Sequence, residues 1–337
     1  MARRPLTDLP LPVSYRIGRI YAYPILTAMD TKLFSSLTAK KAQLDRLRPF
    51  PKAALERLHN QFVVEWTYNS NAIEGNTLSL KETALILNEG LTISGKPLRE
   101  HFEAVNHREA ILKLEEFIRN KHPLNESAVL GLHKIILKGI SDEDAGFYRR
   151  HSVRILGANH IPPNALKVPA LMKNCLAWYK KSQTKLHPVQ LSALLHHKLV
   201  YIHPFIDGNG RLARLLMNLV LMRHGYPPVV ILKVDRRKYY RLLQQADHEN
   251  FEDYLNFIAR AVERSLIIYL RALTPATKLQ TKQGYVSLAE AAKGTSYSQE
   301  YLSLLARKGI LPAVKFRRNW MTTHDAVHEY ISGLKQK

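Results

Sequence analysis

The feature that most constrains the fold is a twelve-residue stretch, 203–214, that separates two helix-like apolar patterns. Its two glycines, Gly208 and Gly210, allow successive backbone N–H groups to turn toward one point. A helix that begins near Asn209 adds its positive end to the same place. The stretch therefore predicts a helix–loop–helix with an anion pocket, most naturally for phosphate. Apolar residues about one helical turn apart lie on both sides of it: Leu191, Leu194, Leu195 and Leu199 before it, and Leu215, Leu219 and Met222 after it.

Four side chains of the same stretch carry basic or charged groups. Arg211 and Arg214 are three positions apart, so both project from one side of the first helical turn. His203 supplies a base that titrates near neutral pH, and Asp207 supplies a hard oxygen ligand for a divalent cation. A loop whose glycines only turn the chain would not need this combination. We therefore interpret the stretch as a catalytic phosphate site.

Residues 203–214 read HPFIDGNGRLAR and resemble the Fic family signature, HxFx(D/E)GNGRxxR, at every specified position. Fic proteins transfer AMP from ATP to a hydroxyl side chain of a target protein. The resemblance extends over roughly residues 60–270 and implies a mainly α fold with ATP and Mg²⁺ at the site. It also implies a protein partner that carries the modified hydroxyl group.

The resemblance implies a role for each specified position of this signature as it stands here. His203 would take the proton of a Ser, Thr or Tyr hydroxyl while its oxygen attacks the α-phosphorus of ATP and pyrophosphate leaves. Asp207 would help to hold Mg²⁺ across the phosphates. The nucleotide would be held by the remaining positions: Gly208, Asn209 and Gly210 at the α- and β-phosphates, Arg211 at the β-phosphate, and Arg214 at the γ-phosphate.

A second motif lies at residues 67–76, at the end of a predicted helix. Ser70 and Glu74 are four apart and share a helix face, and Gly75 is a natural C′ residue, so Glu74 is expected in the last turn. A carboxylate there faces the negative end of the helix dipole, which costs ~0.3–1 kcal/mol unless a cation offsets it. The motif resembles the (S/T)xxxE(G/N) inhibitory motif of Fic proteins. That resemblance implies that Glu74 pairs with Arg214 and blocks the place of the γ-phosphate.

The sequence pattern changes at residues 146–163. Apolar and polar residues alternate there, and the segment contains a glycine and ends in a pair of prolines, which together predict a β-hairpin. The segment is similar in position to the Fic flap. There the hairpin edge adds a strand to the target segment and places its hydroxyl over the site. A structural loop is the alternative. The flap residues expected to contact the target are Val153, Arg154, Ile155 and Leu156.

After a polar linker, the segment 285–337 predicts a small winged helix-turn-helix of the excisionase or MerR-like type. We expect helices at 286–292 and 298–308, a hairpin wing around 317–319, and a last helix from about Thr323. Residues 276–337 carry ten Lys and Arg against four Asp and Glu. This excess predicts DNA binding, and a protein-interaction module with the same fold is the alternative.

The composition bounds the partners and the compartment. The 337 residues include 50 Lys and Arg against 28 Asp and Glu, a formal net charge of +22, which suits a nucleotide, a nucleic acid or an acidic protein face. Cys175 is the single cysteine, which excludes an internal disulfide framework and a Cys-rich zinc site. No stretch reaches the ~18 apolar residues of a membrane span. We therefore expect a cytoplasmic protein without a membrane partner.

These patterns together predict a mainly α fold: a Fic-type helical bundle with a β-hairpin flap, followed by the winged helix-turn-helix domain. The expected divisions are an N-terminal helical region at 1–60, the catalytic domain at 61–273 with its inhibitory helix at about 61–75, a linker at 274–284 and the winged domain at 285–337.

Two other functions stay open on this evidence. Glu74 could orient a water molecule and remove AMP from a modified protein, an activity of some Fic proteins with an inhibitory helix. Alternatively, the chain could act mainly as a DNA-binding regulator that modifies only itself. For the oligomeric state, a homodimer is one candidate.

Overall fold

A computed structural model describes residues 30–155, 159–274, 285–293, 295, 297–316 and 319–334. The chain divides into two compact units. The first comprises Met1–Arg48 and Leu55–Ile267, and the second comprises Pro49–Ala54 and Ile268–Lys337. Within the described ranges, no helix combines the length and the apolar character needed to cross a membrane.

The first unit is built from helices, which confirms the predicted mainly α class. Short 3₁₀ turns at Ala165–Lys167 and Lys233–Asp235 precede two of them. The helices up to residue 273 are α1 Thr31–Asp45, α2 Lys52–Ile73, α3 Leu80–Glu89, α4 Leu98–Arg119, α5 Glu126–Leu137, α6 Val168–Ser182, α7 Pro188–Ile202, α8 Asn209–Arg223, α9 Arg236–Asp247 and α10 Glu252–Leu273. The first residues of α2, 52–54, and the last residues of α10, 268–273, are counted with the second unit.

Local capping signals explain where α3 and α5 begin and where α3 ends. The Ser79 hydroxyl accepts the backbone N–H of Glu82, and the Glu82 carboxylate accepts the N–H of Ser79, which completes a capping box. Gly90 ends α3 with a left-handed φ of 67°. The Asn125 side chain caps α5 by accepting the N–H of Ala128 at 3.0 Å. Such caps stabilise a helix by about 1 kcal/mol each.

Helices α7 and α8 pack together at the centre of the first unit. Every residue of α8 from Leu212 to Leu221 is at most 2% exposed. Each buried leucine contributes about 1.5–3 kcal/mol relative to an exposed one, so this pair fixes the loop between them firmly. The predicted apolar pattern is confirmed, since Met222 is partly buried and the other six residues are buried: Leu191, Leu194, Leu195, Leu199, Leu215 and Leu219.

The predicted flap hairpin is wrong for the residues that the structure describes. Residues 151–155 and 159–163 contain no β-strand, although Val153, Arg154 and Ile155 have no helical structure either. Leu156 and the two residues after it lie outside the described part of the chain. An isolated two-stranded hairpin gains little from its own ladder, and Pro162 and Pro163 donate no backbone N–H to one.

The second unit combines a small sheet with three helices. Its elements are β1 Tyr285–Ser287, α11 Leu288–Ala292, α12 Gln299–Arg307, β2 Ala313–Phe316, β3 Asn319–Thr323 and α13 His324–Leu334. The strands are antiparallel in the order β1-β3-β2. Helical residues Leu288, Ala291, Leu302 and Leu305 pack with Leu311 in its core.

The hairpin formed by β2 and β3 is confirmed, with Val314 opposite Met321 and Lys315 opposite Trp320. The strand β1 was not predicted, because residues 286–292 were expected to be wholly helical. Its three residues are held by pairing with β3, which a local pattern does not reveal. Arg317 and Arg318 lie outside the described residues. The winged helix-turn-helix assignment, the domain boundaries and DNA binding stay predictions.

Candidate active site

His203 lies immediately after α7 in a left-handed backbone conformation, with φ 49° and ψ 60°. Such a conformation costs a non-glycine residue about 1–3 kcal/mol and is typical of functional sites. Its ring Nδ1 lies 3.4 Å from the carbonyl oxygen of Val200. Because a carbonyl only accepts, the tautomer that satisfies this contact carries its hydrogen on Nδ1 and its lone pair on Nε2. Burial lowers the pKa of His203 to about 4, so the ring is a neutral base at pH 7.

The loop after His203 is braced by its own residues. Gly208 has φ 79°, a left-handed conformation that favours glycine, and a Cβ added there would make a tight contact of 3.3 Å with the His133 ring. The Asn209 side chain bonds both backbone groups of Phe205, accepting its N–H at 2.9 Å and donating to its carbonyl at 2.9 Å. The Asn209 side chain therefore holds the loop, and only its backbone is left to meet a phosphate.

Two arginines project from the first turns of α8, and each is only 2% exposed. Arg211 Nη2 lies 3.1 Å from Asp207 Oδ1, and Arg211 Nη1 lies 3.5 Å from a Glu103 carboxylate oxygen. Arg214 Nε donates to the Ser70 hydroxyl at 3.0 Å, and Arg214 Nη2 donates to the Ser70 carbonyl at 2.8 Å. These contacts bring together Ser70 and Arg214, which are 144 residues apart in the sequence.

Buried N–H groups of these arginines remain without a hydrogen-bond partner among the described residues. They are Nε and Nη1 of Arg211 and Nη1 of Arg214. Leaving a buried donor unpaired costs about 1–3 kcal/mol, and more on a charged group. Guanidinium groups pair naturally with phosphate oxygens. The site therefore fits the phosphates of a nucleotide at the N-terminal end of α8.

The predicted contact between Glu74 and Arg214 is present. Glu74 Oε1 accepts from Arg214 Nη2 at 2.8 Å. Burial alone would lower the pKa of Arg214, but Glu74, Tyr239 and Tyr240 together raise it. Glu74 follows the last residue of α2 directly, one position later than a last-turn placement. A Cβ added at Gly210 would lie only 2.1 Å from Glu74 Oε1. The carboxylate therefore occupies the space beside the first turn of α8, where an anion is electrostatically favoured.

Asp207 is engaged on both carboxylate oxygens. Its Oδ1 accepts from the N–H of Gly208 at 2.5 Å and from Arg211 at 3.1 Å, and its Oδ2 accepts from Arg99 at 2.5 Å. Burial alone would raise the pKa of Asp207, but Arg211, the Gly208 N–H and Arg99 together lower it, so the group is ionised. In the described ranges no three metal-ligating side chains cluster. A cation here would share Asp207 with phosphate oxygens.

Three residues that hold the site, His133, Arg99 and Arg149, belong to no sequence motif. The His133 ring stacks on Phe205 with centroids 3.6 Å apart, accepts the Gly146 N–H at 3.0 Å and donates to the Asp207 carbonyl at 2.9 Å. Arg99 pairs with Asp207, and Arg149 bonds the His203 carbonyl at 2.8 Å. None of the three has a marked spacing. The only signal was the position of Arg149, just before the predicted flap.

The comparisons with known proteins agree with this geometry. The Fic/DOC family model matches residues 123–221. A Fic domain containing signaling protein from Bacteroides thetaiotaomicron is 32% identical, with a TM-score of 0.66 over 71% of this chain and 96% of that one. Fic-1 from C. elegans is 30% identical, with a TM-score of 0.66 over 74% of each chain. The chain belongs to the Fic/DOC family.

Two curated relatives carry the name protein adenylyltransferase Fic. The protein from Nematostella vectensis is 35% identical over 275 residues, which are 80% of this chain and 63% of the relative. The protein from Aedes aegypti is 38% identical over 250 residues, which are 74% of this chain and 50% of the relative. The chain thus spans about half to two thirds of the length of these relatives.

Proposed function

We propose that this protein transfers AMP from ATP to a Ser, Thr or Tyr hydroxyl of a target protein or of itself, and that Glu74 restrains the reaction. The proposal rests on one observation: a base and two phosphate-binding arginines lie together in one short loop and the helix that follows it. His203 presents the lone pair of its Nε2, and the buried guanidinium groups of Arg211 and Arg214 keep donors that are unpaired within the described part of the chain. The names of the relatives support the same chemistry.

In the proposed reaction His203 Nε2 removes the proton of the acceptor hydroxyl as its oxygen attacks the α-phosphorus. A bond forms between that oxygen and the α-phosphorus, and the bond to the bridging oxygen of the β-phosphate breaks. Pyrophosphate leaves with the electron pair, and the proton held by His203 passes to solvent. Arg211 and Arg214 stabilise the negative charge on the phosphates. Since no covalent enzyme intermediate forms, catalysis comes from positioning and charge stabilisation.

Mg²⁺ is proposed as the companion of ATP, with Asp207 as the protein carboxylate that would hold it. The chemistry of the donor fits, because an ionised aspartate is a hard oxygen ligand. When bound, the cation would neutralise charge on the triphosphate. Within the described residues, Asp207 Oδ2 pairs with Arg99 at 2.5 Å, so binding of a cation there requires this contact to open.

The proposed activity can be tested by intact-mass analysis. The full chain is incubated with ATP, Mg²⁺ and a cell lysate, and the masses of the chain and of lysate proteins are compared before and after. We expect the mass of one AMP group to be added to a hydroxyl residue. Addition of a phosphoryl group alone, or no adduct even with the Glu74→Gly variant, would contradict the proposal.

The variant Asp207→Ala is expected to weaken the dependence of nucleotide binding on Mg²⁺, because its carboxylate would no longer reach the cation. Calorimetric titration of ATP with Mg²⁺ and with a chelator gives the ratio of the two affinities. The exposed residue Glu143 supplies a matched control, Glu143→Ala, on the turn after α5. An unchanged ratio in Asp207→Ala would show that the cation does not use this carboxylate.

We also propose that residues 285–337 bind duplex DNA, since Ser298, Gln299 and Tyr301 are exposed at the start of α12 and the segment is basic. Affinity of the full chain for a labelled duplex should fall steeply with salt, because each phosphate contact releases counterions. Substitution of Arg317 and Arg318 should reduce the salt dependence, measured by fluorescence anisotropy. No binding at low salt would favour a protein-interaction module instead. A homodimer likewise stays a prediction.

A further inference from the structure

Arg149 is a buried cation, 3% exposed, that lies between the catalytic loop and the segment 151–163. Its backbone N–H donates to the Pro204 carbonyl at 3.0 Å, and its Nε donates to the His203 carbonyl at 2.8 Å. Its Nη1 donates to the His151 carbonyl at 3.0 Å, and its Nη2 donates to the Pro163 carbonyl. The guanidinium group of Arg149 therefore links His203 to both ends of the segment 151–163, which lies within the region predicted to form the flap.

Every hydrogen-bond partner of this guanidinium among the described residues is a neutral carbonyl oxygen. Burying a cation is costly, and a carboxylate normally offsets the cost. Burial lowers the pKa of Arg149, but an arginine remains charged in a protein. A purely structural brace between neutral carbonyl groups does not need a charge. Because no carboxylate hydrogen-bonds this guanidinium in the described part of the chain, its positive charge acts on the groups around it.

We propose that Arg149 is a positioning residue for the AMP-transfer reaction: it sets the carbonyl of His203 and both ends of the flap segment at fixed distances from one another. The inference rests on the proposed function. The bond to the His203 carbonyl holds that residue in its left-handed conformation, with φ 49° and ψ 60°. The bonds to His151 and Pro163 hold the segment that would present the target hydroxyl. The base and the hydroxyl are thereby aligned by a single side chain.

The charge of Arg149 also acts on the base. His203 is influenced by burial first, then by the Val200 carbonyl, and by three ionisable groups: Arg149, Glu74 and His160. Burial and the positive charge of Arg149 lower the pKa of His203, whereas the Val200 carbonyl and Glu74 raise it. Removal of the Arg149 charge should therefore raise this pKa from about 4, and the rate should begin to fall at a higher pH on acidification.

The test compares Arg149→Lys and Arg149→Met with the control Arg150→Met, an exposed neighbour, all in the Glu74→Gly background. Lysine keeps the charge but lacks the planar fork that reaches several carbonyls at once. We expect both Arg149 variants to lose about a hundredfold in kcat with nucleotide affinity unchanged. Only Arg149→Met should move the acid limb of the pH profile upward. The control should match its parent.

Full kcat in folded Arg149→Lys, or an acid limb that does not move in Arg149→Met, would overturn the proposal. If Arg149→Met does not fold, the kcat of Arg149→Lys against Arg150→Met decides it. If the Glu74→Gly parent transfers no AMP, the proposed function fails, and an NMR titration of the His203 ring tests Arg149 separately. A lower pKa in the parent than in Arg149→Met supports the proposed action of Arg149 on the base, and equal values refute it.

Discussion

The Glu74→Gly variant is expected to transfer AMP about a hundred times faster than the unchanged chain, because a misplacement of ~1 Å costs about that factor in rate. The Glu74 carboxylate lies 2.8 Å from Arg214 and fills the space beside Gly210. Its removal frees Arg214 to receive the γ-phosphate, which would align the α-phosphorus for attack. Affinity for ATP should change less than kcat, since the other phosphate contacts are untouched.

The measurement is kcat for labelled AMP transfer, with the dissociation constant of ATP determined in parallel. Glu89→Gly is the matched control, because Glu89 also ends a helix next to a glycine, Gly90, but is exposed to solvent. Equal rates for the two variants would remove the regulatory role of Glu74. If the chain instead removes AMP from a modified target, the Glu74→Gly variant should lose that removal. If the Glu74→Gly variant neither gains AMP transfer nor loses AMP removal, Glu74 is an ordinary helix-end residue.

The His203→Ala variant should abolish AMP transfer while ATP binding stays largely intact. General base catalysis contributes about 10²–10⁴-fold, and His203 offers the free Nε2 lone pair that the reaction needs. The nucleotide itself is expected to bind the guanidinium groups and the N-terminal end of α8, which this change leaves in place. His203 is half-buried, so the substitution creates little cavity cost.

Transfer and ATP affinity are measured for His203→Ala in the Glu74→Gly background, where the rate is highest. His248→Ala is the control, since His248 is an exposed histidine just after α9. Undiminished labelling by the His203 variant would rule out the proposed base. Loss of ATP binding together with transfer would show that His203 shapes the nucleotide pocket rather than acting on the hydroxyl.

The sequence predicted those features whose causes are local. The glycines and arginines of residues 203–214 lie within one loop and the first turns of α8, so one short segment specifies the pocket. The contact of Glu74 with Arg214 is long-range, and it was predicted only because a family resemblance joined the two segments.

What the sequence could not predict depends on distant partners. Arg149 donates to carbonyls of His151, Pro163 and His203, and no pattern of side-chain types identifies a carbonyl as an acceptor. The Asn209 side chain holds the Phe205 backbone instead of facing a ligand, which only the path of the loop decides. The hairpin prediction failed for a related reason: alternation identifies an extended segment but not whether a second strand pairs with it.

The most direct test of AMP transfer by His203 is to follow the label from two forms of ATP, one labelled at the α-phosphorus and one at the γ-phosphorus. Each is incubated with Mg²⁺ and either the Glu74→Gly variant or the double variant that also carries His203→Ala. We predict that protein acquires the α label but not the γ label, and that the double variant acquires neither. Protein labelled from the γ-phosphorus, or an α label that survives the loss of His203, would contradict AMP transfer with His203 as the base.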